Sequence, residues 1–382
     1  MSATNSLPSV AVYRTAFPHA SETFIAEQVR ALRSYRPVML VRTPRPGIDV
    51  YDHVALSTRA RSLDSLLFTM FGRIGPIRHA HGLSGVRVVH AHFAPDALLA
   101  LPIAEYLGVP LVATCHGSDV TVNDWGLVSG GRIADLRYLL QRSRLFSRAN
   151  RFIAVSDFLK QRMIESGYPA QKVVRHYIGV DTKRFVPARE MSPQDERHSY
   201  VLSVARHSEV KGLDILIRAF ARVADRHPAL RLVQIGAGAL TPQLKALVES
   251  LGLEQRVDFL GARPSRDVLR YIQGCCLLVL SSRKARNGAE ESFGLVLAEA
   301  AACGIPTIGT RVGGIPEAVV DGQTGILVPP DDEMALAASM DGLLGNPDLA
   351  LEMGRRAREW VCDCFDLERQ TARLERIYDE VT

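Results

Sequence analysis

Several absences narrow this chain before any motif is read. Its 382 residues hold no apolar stretch approaching the roughly 18 needed to span a bilayer. Six cysteines (115, 275, 276, 303, 362, 364) contain no Cys-x-x-Cys and sit mostly in apolar surroundings. Buried, reduced thiols are expected, not a disulfide framework. Cys362-Asp-Cys364 lacks the paired second site that a zinc centre needs. No Asp-x-Asp occurs anywhere, so one common chelate for a divalent ion is missing and no metal site is expected. The opening Met-Ser-Ala-Thr-Asn-Ser-Leu-Pro has no basic leader ahead of an apolar segment, so no secretory signal is expected, and the expected location is cytoplasmic.

What is present fits a globular protein of two ordinary domains: 47% apolar and 23% charged residues. The net charge of +5 hides a division. Residues 1–190 hold 24 Lys+Arg against 14 Asp+Glu, and residues 191–382 hold 22 against 27. A basic first half suits an anionic partner: a nucleic acid, a membrane surface or a phosphorylated acceptor. Residues 59–78 add a helical apolar stripe (Leu63, Leu66, Leu67, Met70, Phe71, Ile74) flanked by arginines, a pattern that can lie on a membrane or pack on its own domain.

Short β-rich runs alternate with helical patterns, which predicts parallel sheets with helical crossovers. The expected strands are Val10–Arg14, Pro37–Arg42, Val86–Ala91, Pro110–Thr114 and Arg151–Ser156 in the first half. In the second they are Tyr200–Ala205, Leu230–Ile235, Val257–Gly261, Leu277–Ser281, Pro306–Gly309 and Gly325–Val328. Pro187–His198 reads as a linker. The fold class is therefore α/β, two doubly wound Rossmann-like domains facing a central cleft, over residues 1–190 and 191–363. Asp366–Val381 is an amphipathic helix with Leu367, Leu374, Ile377, Tyr378 and Val381 on one stripe.

The most informative stretch is Glu291-Ser-Phe-Gly-Leu-Val-Leu-Ala-Glu299, followed by Gly304, Pro306 and Gly313-Gly-Ile-Pro-Glu317. A helix from Gly294 to Cys303 would end on Gly304 and Pro306. Its opening turn would present free N–H groups and the positive end of the macrodipole, a site for phosphate. Eight residues of helix rise roughly 12 Å and turn about 80°. Glu299 would then lie deeper on the same side, with Glu291 ahead of the opening turn.

After the strand ending at Ala205, Arg206 and Lys211 stand in a strand-to-helix loop, a fork and a point charge suited to a diphosphate. His116 and His92 each end a strand. His90 and His92, two apart on an extended segment, are expected to point to opposite faces and make a poor metal pair. Gly236-Ala-Gly238 follows another strand, but position 241 is Thr, so the dinucleotide fingerprint is incomplete.

These residues resemble the Glu-x7-Glu signature of the retaining glycosyltransferases of family 4, whose fold is GT-B. The likeness is strongest to the exopolysaccharide and colanic-acid type, which shares His90-Ala-His92 and Phe17-Pro-His-Ala-Ser-Glu-Thr-Phe-Ile25. The resemblance implies transfer of a hexosyl unit from a UDP- or GDP-linked sugar to an acceptor hydroxyl, with no metal and no other cofactor. It implies that His116 faces the sugar, that Arg206 and Lys211 hold the pyrophosphate, and that Glu291 orients sugar hydroxyls. The donor would also meet Ser292, Phe293, Gly294, Leu295 and Val296, with Glu299 on the ribose and Gly236, Gly238 and Arg263 near the base. The C-terminal helix, from 364 to 382, is implied to cross back to the first domain. A lipid-linked acceptor would bring the basic domain to the inner face of the membrane, with nucleic acid not expected. Thr15-Ala-Phe-Pro-His-Ala-Ser21 stands where many members carry a Gly-Gly loop, so their acceptor contacts do not carry over. Another GT-B enzyme, an epimerase or phosphorylase, or a non-catalytic anion binder remain the alternatives.

Overall fold

Strand cores such as Leu-Val-Ala-Thr-Cys and Leu-Leu-Val-Leu are buried at every position. Continuous burial without alternation requires cover on both faces, the setting of a parallel sheet. In the computed structural model, which describes residues 7–18, 22–56, 83–131, 133–188 and 200–382, these runs build two parallel sheets. The chain divides into two compact units, Met1–Gly179 with Leu367–Thr382, and Val180–Asp366.

The first unit holds β1 (Ser9–Phe17), β2 (Arg36–Pro44), β3 (His53–Ala55), β4 (Val86–His92), β5 (Leu111–Cys115), β6 (Arg151–Ala154) and β7 (Val173–Arg175). They lie in the order β3-β2-β1-β4-β5-β6-β7, each pair parallel. The period-2 rule divides its core. Ala11, Tyr13, Leu40, Val89 and Ala91 pack on one face, while Val10, Val12, Met39, Val41 and Val88 pack on the other. Leu374 and Tyr378 of the last helix, Leu367–Asp379, complete the second face. Glu375 of that helix accepts from the amides of Arg33 at 2.8 Å and Ser34 at 2.6 Å.

The second unit holds β8 (Tyr200–Val204), β9 (Arg231–Ile235), β10 (Val257–Gly261), β11 (Leu277–Leu280), β12 (Thr307–Thr310) and β13 (Ile326–Val328), in the order β10-β9-β8-β11-β12-β13 and again parallel. Both sheets reverse their winding at the first strand. The switch points lie between β1 and β4, and between β8 and β11, where α/β sheets bind ligands beyond the carboxyl ends.

The first unit hands over to the second at Gly179/Val180, not near residue 190, and the chain returns at Leu367. Residues 180–186 belong to the second unit through their bonds: the Val180 amide donates to the Phe365 carbonyl at 2.7 Å, Thr182 to Asp366 at 2.5 Å and Arg184 to Ser265 at 2.6 Å. The apolar stripe within 59–78 and residues 189–198 of the expected linker lie outside the described residues.

Candidate active site

In the second unit the loop after β8 is fixed before it offers anything to a ligand. His207, 1% exposed, donates from Nε2 to Gln234 Oε1. Gln234 is oriented in turn because its amide donates to the carbonyls of Ala205 and Ile235. His207 Nδ1 lies 2.7 Å from the Thr241 hydroxyl. The residue that breaks the glycine fingerprint thus helps to pin this loop, a partner that the sequence reading missed. Gly236 and Gly238 press on the same loop: a Cβ at either would stand 1.9 Å from the Ala205 carbonyl or 2.4 Å from that of His207. Gly212, at φ +55, brings the loop against the end of β11, where the Ser281 hydroxyl is 3.0 Å and 2.9 Å from the Lys211 and Gly212 carbonyls.

This scaffold delivers Lys211 to Glu291, and the two form a partly buried ion pair, 18% and 14% exposed. The Ser282 hydroxyl lies 3.4 Å from the same carboxylate. Burial raises the Glu291 carboxyl, but the Lys211 charge and hydrogen bond, with the amides of Gly294 and Ser292, outweigh it and hold the group below the ordinary carboxylate range. Gly294 (φ +80) opens the helix Leu295–Ala302 with no side chain capping it. The positive end of that helix therefore faces the Glu291 carboxylate. Ser292 and Phe293 are buried at 7% and 2%, so what they present is backbone. Leu295 and Val296 are half-buried in the first turn.

Glu299 is half-buried on the same helix, where its charge, after burial, helps push the Cys303 thiol up to about 12. Arg206 is exposed, and no hydrogen bond or ion pair to its guanidinium is found among the described residues. Arg263 lines a cavity of about 390 Å³ with Tyr200, Asp267, Arg270 and Tyr271.

In the first unit the carboxyl ends of β1, β4 and β5 gather a second set of polar groups. His92 Nδ1 and His116 Nε2 are 2.9 Å apart, so one ring donates to the other. Burial first, then neighbouring positive charge, pushes both imidazoles well down, so both are neutral. Their outer nitrogens, His92 Nε2 and His116 Nδ1, are buried without a partner. Whichever way the shared proton points, one of these two atoms is a donor and the other an acceptor. His90 and His92 have ring centroids 4.4 Å apart, which corrects the expectation that they diverge: side chains two apart on a strand share a face.

Phe93 is held at φ +71, an unfavourable region for a side chain with a Cβ. Its amide donates to the Thr114 carbonyl at 2.7 Å, and its ring lies 4.7 Å from His116 and beneath the Arg14 guanidinium. Arg14 is clamped between Glu22 and Asp96. Asp119 accepts from the amides of Ala94, His116 and Gly117 at 2.9 to 3.0 Å. No group of three His, Cys, Asp or Glu side chains suited to a metal ion is found among the described residues.

Two parallel Rossmann-like sheets in succession, each with polar groups at its switch point, define the GT-B class. The same architecture is solved in HepE of Anabaena in complex with UDP and glucose, with a TM-score of 0.77 at 20% identity, covering 98% of this chain and 100% of that one. The family models for glycosyltransferase family 4 and for glycosyl transferases group 1 match residues 21–184 and 187–360. Among sequence relatives, N-acetyl-alpha-D-glucosaminyl L-malate synthase of Bacillus anthracis is 32% identical over 77% of this chain and 74% of its own. WcaL of Escherichia coli (strain K12), named for colanic acid biosynthesis, is 32% identical over 74% of this chain and 69% of its own. The chain belongs to the group 1, family 4 glycosyltransferases and is a glycosyltransferase. The alternatives of an epimerase, a phosphorylase or a non-catalytic anion binder give way to that assignment.

Proposed function

We propose that the chain moves a hexosyl unit from a UDP- or GDP-linked sugar to an acceptor hydroxyl, with retention at the anomeric carbon and without a metal ion. The observation that carries this reading is the Lys211–Glu291 pair set at the uncapped opening of the helix Leu295–Ala302, beyond β8 and β11. A diphosphate bound there meets fixed amides and the helix dipole, and it gains Lys211 and Arg206 as counter-charges. Glu291, held as a carboxylate, accepts hydrogen bonds from sugar hydroxyls. Glu299 serves the ribose, and Gly236, Gly238 and Arg263 flank the base. His116 presents its outer nitrogen to the sugar.

As the bond from C1 to the diphosphate breaks, the leaving oxygens gain charge, and Arg206, Lys211 and the amides of Gly294–Val296 stabilise it. The acceptor oxygen bonds to C1 on the same face, and its proton passes to the departing phosphate. HepE, in complex with UDP and glucose, supports a sugar-nucleotide donor by analogy of fold.

The test is a thermal-shift titration with UDP- and GDP-sugars on the wild type, Lys211→Ala and Glu291→Ala. A donor at a hundred times its Kd stabilises by about 2.7 kcal/mol. The expected outcome is a shift for the wild type with one nucleotide series, lost in Lys211→Ala, and no transfer by either variant. Full transfer by Lys211→Ala or Glu291→Ala removes the assignment.

A further inference from the structure

Apolar packing fixes the plane of a histidine ring but not which way round it sits, because a half-turn swaps nitrogen for carbon at nearly unchanged shape. His116 is half-buried, and its ring lies between Phe24, 4.9 Å away, and Phe93, 4.7 Å away. Neither phenyl offers a polar atom, so neither selects an edge or a tautomer. The selecting contact is the one to His92. The two rings are 20° from coplanar with centroids 5.2 Å apart. That is the separation of rings joined end to end across the 2.9 Å nitrogen contact, an in-plane hydrogen bond and not a face-to-face stack. His92 ends β4 and is only 1% exposed, so of the two rings His116 is the one a ligand reaches. The register of β4 and β5 sets His92 opposite Thr114, two residues before His116. His90 braces the His92 ring from 4.4 Å away. It is itself tied at both nitrogens, Nδ1 to the Tyr378 hydroxyl and Nε2 to the Thr114 hydroxyl, each at 2.7 Å.

We propose that His92 is a positioning residue for transfer: its hydrogen bond to Nε2 holds the His116 ring one way round and in one tautomer, so that Nδ1 meets the sugar in a fixed role. This rests on the reading that His116 serves the sugar. A neutral imidazole has a single N–H, and the partner of one nitrogen decides what the other can do. Where His92 Nδ1 donates, His116 Nδ1 carries its own hydrogen and donates to a sugar oxygen. Where His92 Nδ1 accepts, His116 Nδ1 accepts from a sugar hydroxyl. Burial and neighbouring positive charge keep both rings neutral, so neither escapes the choice by taking a second proton. Without His92, the phenyl sandwich would admit a half-turned ring that offers carbon to the sugar, or the tautomer with the wrong role.

Three replacements separate this role from packing. His92→Asn keeps an amide where Nδ1 stood, His92→Gln moves it to the place of Nε2, and His92→Phe keeps the bulk of the ring without a polar atom. Nitrogen NMR of the full-length chain with isotope-labelled histidine reads the tautomer, the His116 signals being those lost in His116→Ala. At neutral pH the wild type should show His116 with one bare and one protonated nitrogen, and His92→Phe should show the two tautomers averaged. Activity is read without an acceptor, as the release of free nucleotide from UDP- and GDP-hexoses into water. His92→Phe and His92→Gln should release it about tenfold more slowly, the weight of one buried hydrogen bond, and His92→Asn should recover most of the rate. The melting-point shift given by UDP or GDP alone should not change. A wild type in mixed tautomers overturns the proposal, as does a His116 spectrum that His92→Phe leaves unaltered, or release by His92→Phe as fast as by His92→Asn. Full release by His116→Ala removes instead the reading that His116 serves the sugar, while the spectra still judge the hold of His92 on the ring.

Discussion

Gly313 tests how Glu291 is held, because it touches the carboxylate's own backbone and contributes no chemistry. It sits at φ +60, and a Cβ there would lie 1.8 Å from the Glu291 carbonyl oxygen. That is about 1.6 Å short of ordinary contact, so one backbone must move. The hydrogen bond from the Gly314 amide to the same carbonyl, 2.9 Å, would go with it. Gly322 is the control: φ +71 with no atom within 4 Å of its would-be Cβ. Gly322→Ala therefore carries only the left-handed penalty, about 1 kcal/mol. Gly313→Ala adds a broken, partly buried hydrogen bond and the displacement, for a total of about 3 to 5 kcal/mol. A carboxylate moved by about 1 Å lowers turnover by roughly 100-fold. Urea unfolding and initial rates of transfer on both variants measure the two effects. Equal stability losses, or Gly313→Ala turning over within about threefold of Gly322→Ala, would refute this account of the loop.

His176 and His90 are buried, which pushes them down from 6.5 to about 4 and about 3. Above about pH 7.5 both are neutral in the folded and unfolded chain alike. Below it the unfolded chain takes up protons that the fold refuses, so stability falls with pH until each folded value is passed. For His176 the loss between pH 7.5 and 5 is about 2 kcal/mol. His176→Asn should flatten that part of the urea-midpoint profile, and an unchanged slope would contradict it. Proton NMR of the first-formed product should show the donor's own anomeric configuration, and inversion would exclude the same-face route.

Most of the sheet order was legible because parallel strands announce themselves as short, fully apolar runs. Eleven of the strands were expected, with ends shifted by a residue or a few. β3 and β7 were not: each is a three-residue edge strand broken by a polar residue (His-Val-Ala, Val-Val-Arg), whereas the equally short β13 is the wholly apolar Ile-Leu-Val. The helix Leu295–Ala302 was readable from its punctuation, since Gly294 and Gly304 both adopt positive φ. The supports of the site were harder to read. Ser282 and Gly313 reach Glu291 only through folding, and His207 looks like any loop histidine until Gln234 and Thr241 close on it. The His92–His116 pair was not legible, because the two rings lie 24 residues apart on β4 and just beyond β5, and only the pairing of those strands brings them together. The domain boundary was misplaced for a different reason. Proline and polar composition mark an exposed stretch, whereas allegiance is set by bonds such as that from Val180 to Phe365.

The most direct measurement is a crystal structure of the chain soaked with UDP and, separately, with GDP at millimolar concentration. One of the two should place its diphosphate within hydrogen-bond distance of the amides that open the helix Leu295–Ala302, with Lys211 turned toward it. Density for the nucleotide elsewhere, or none for either, would contradict the claim that this opening is the donor site.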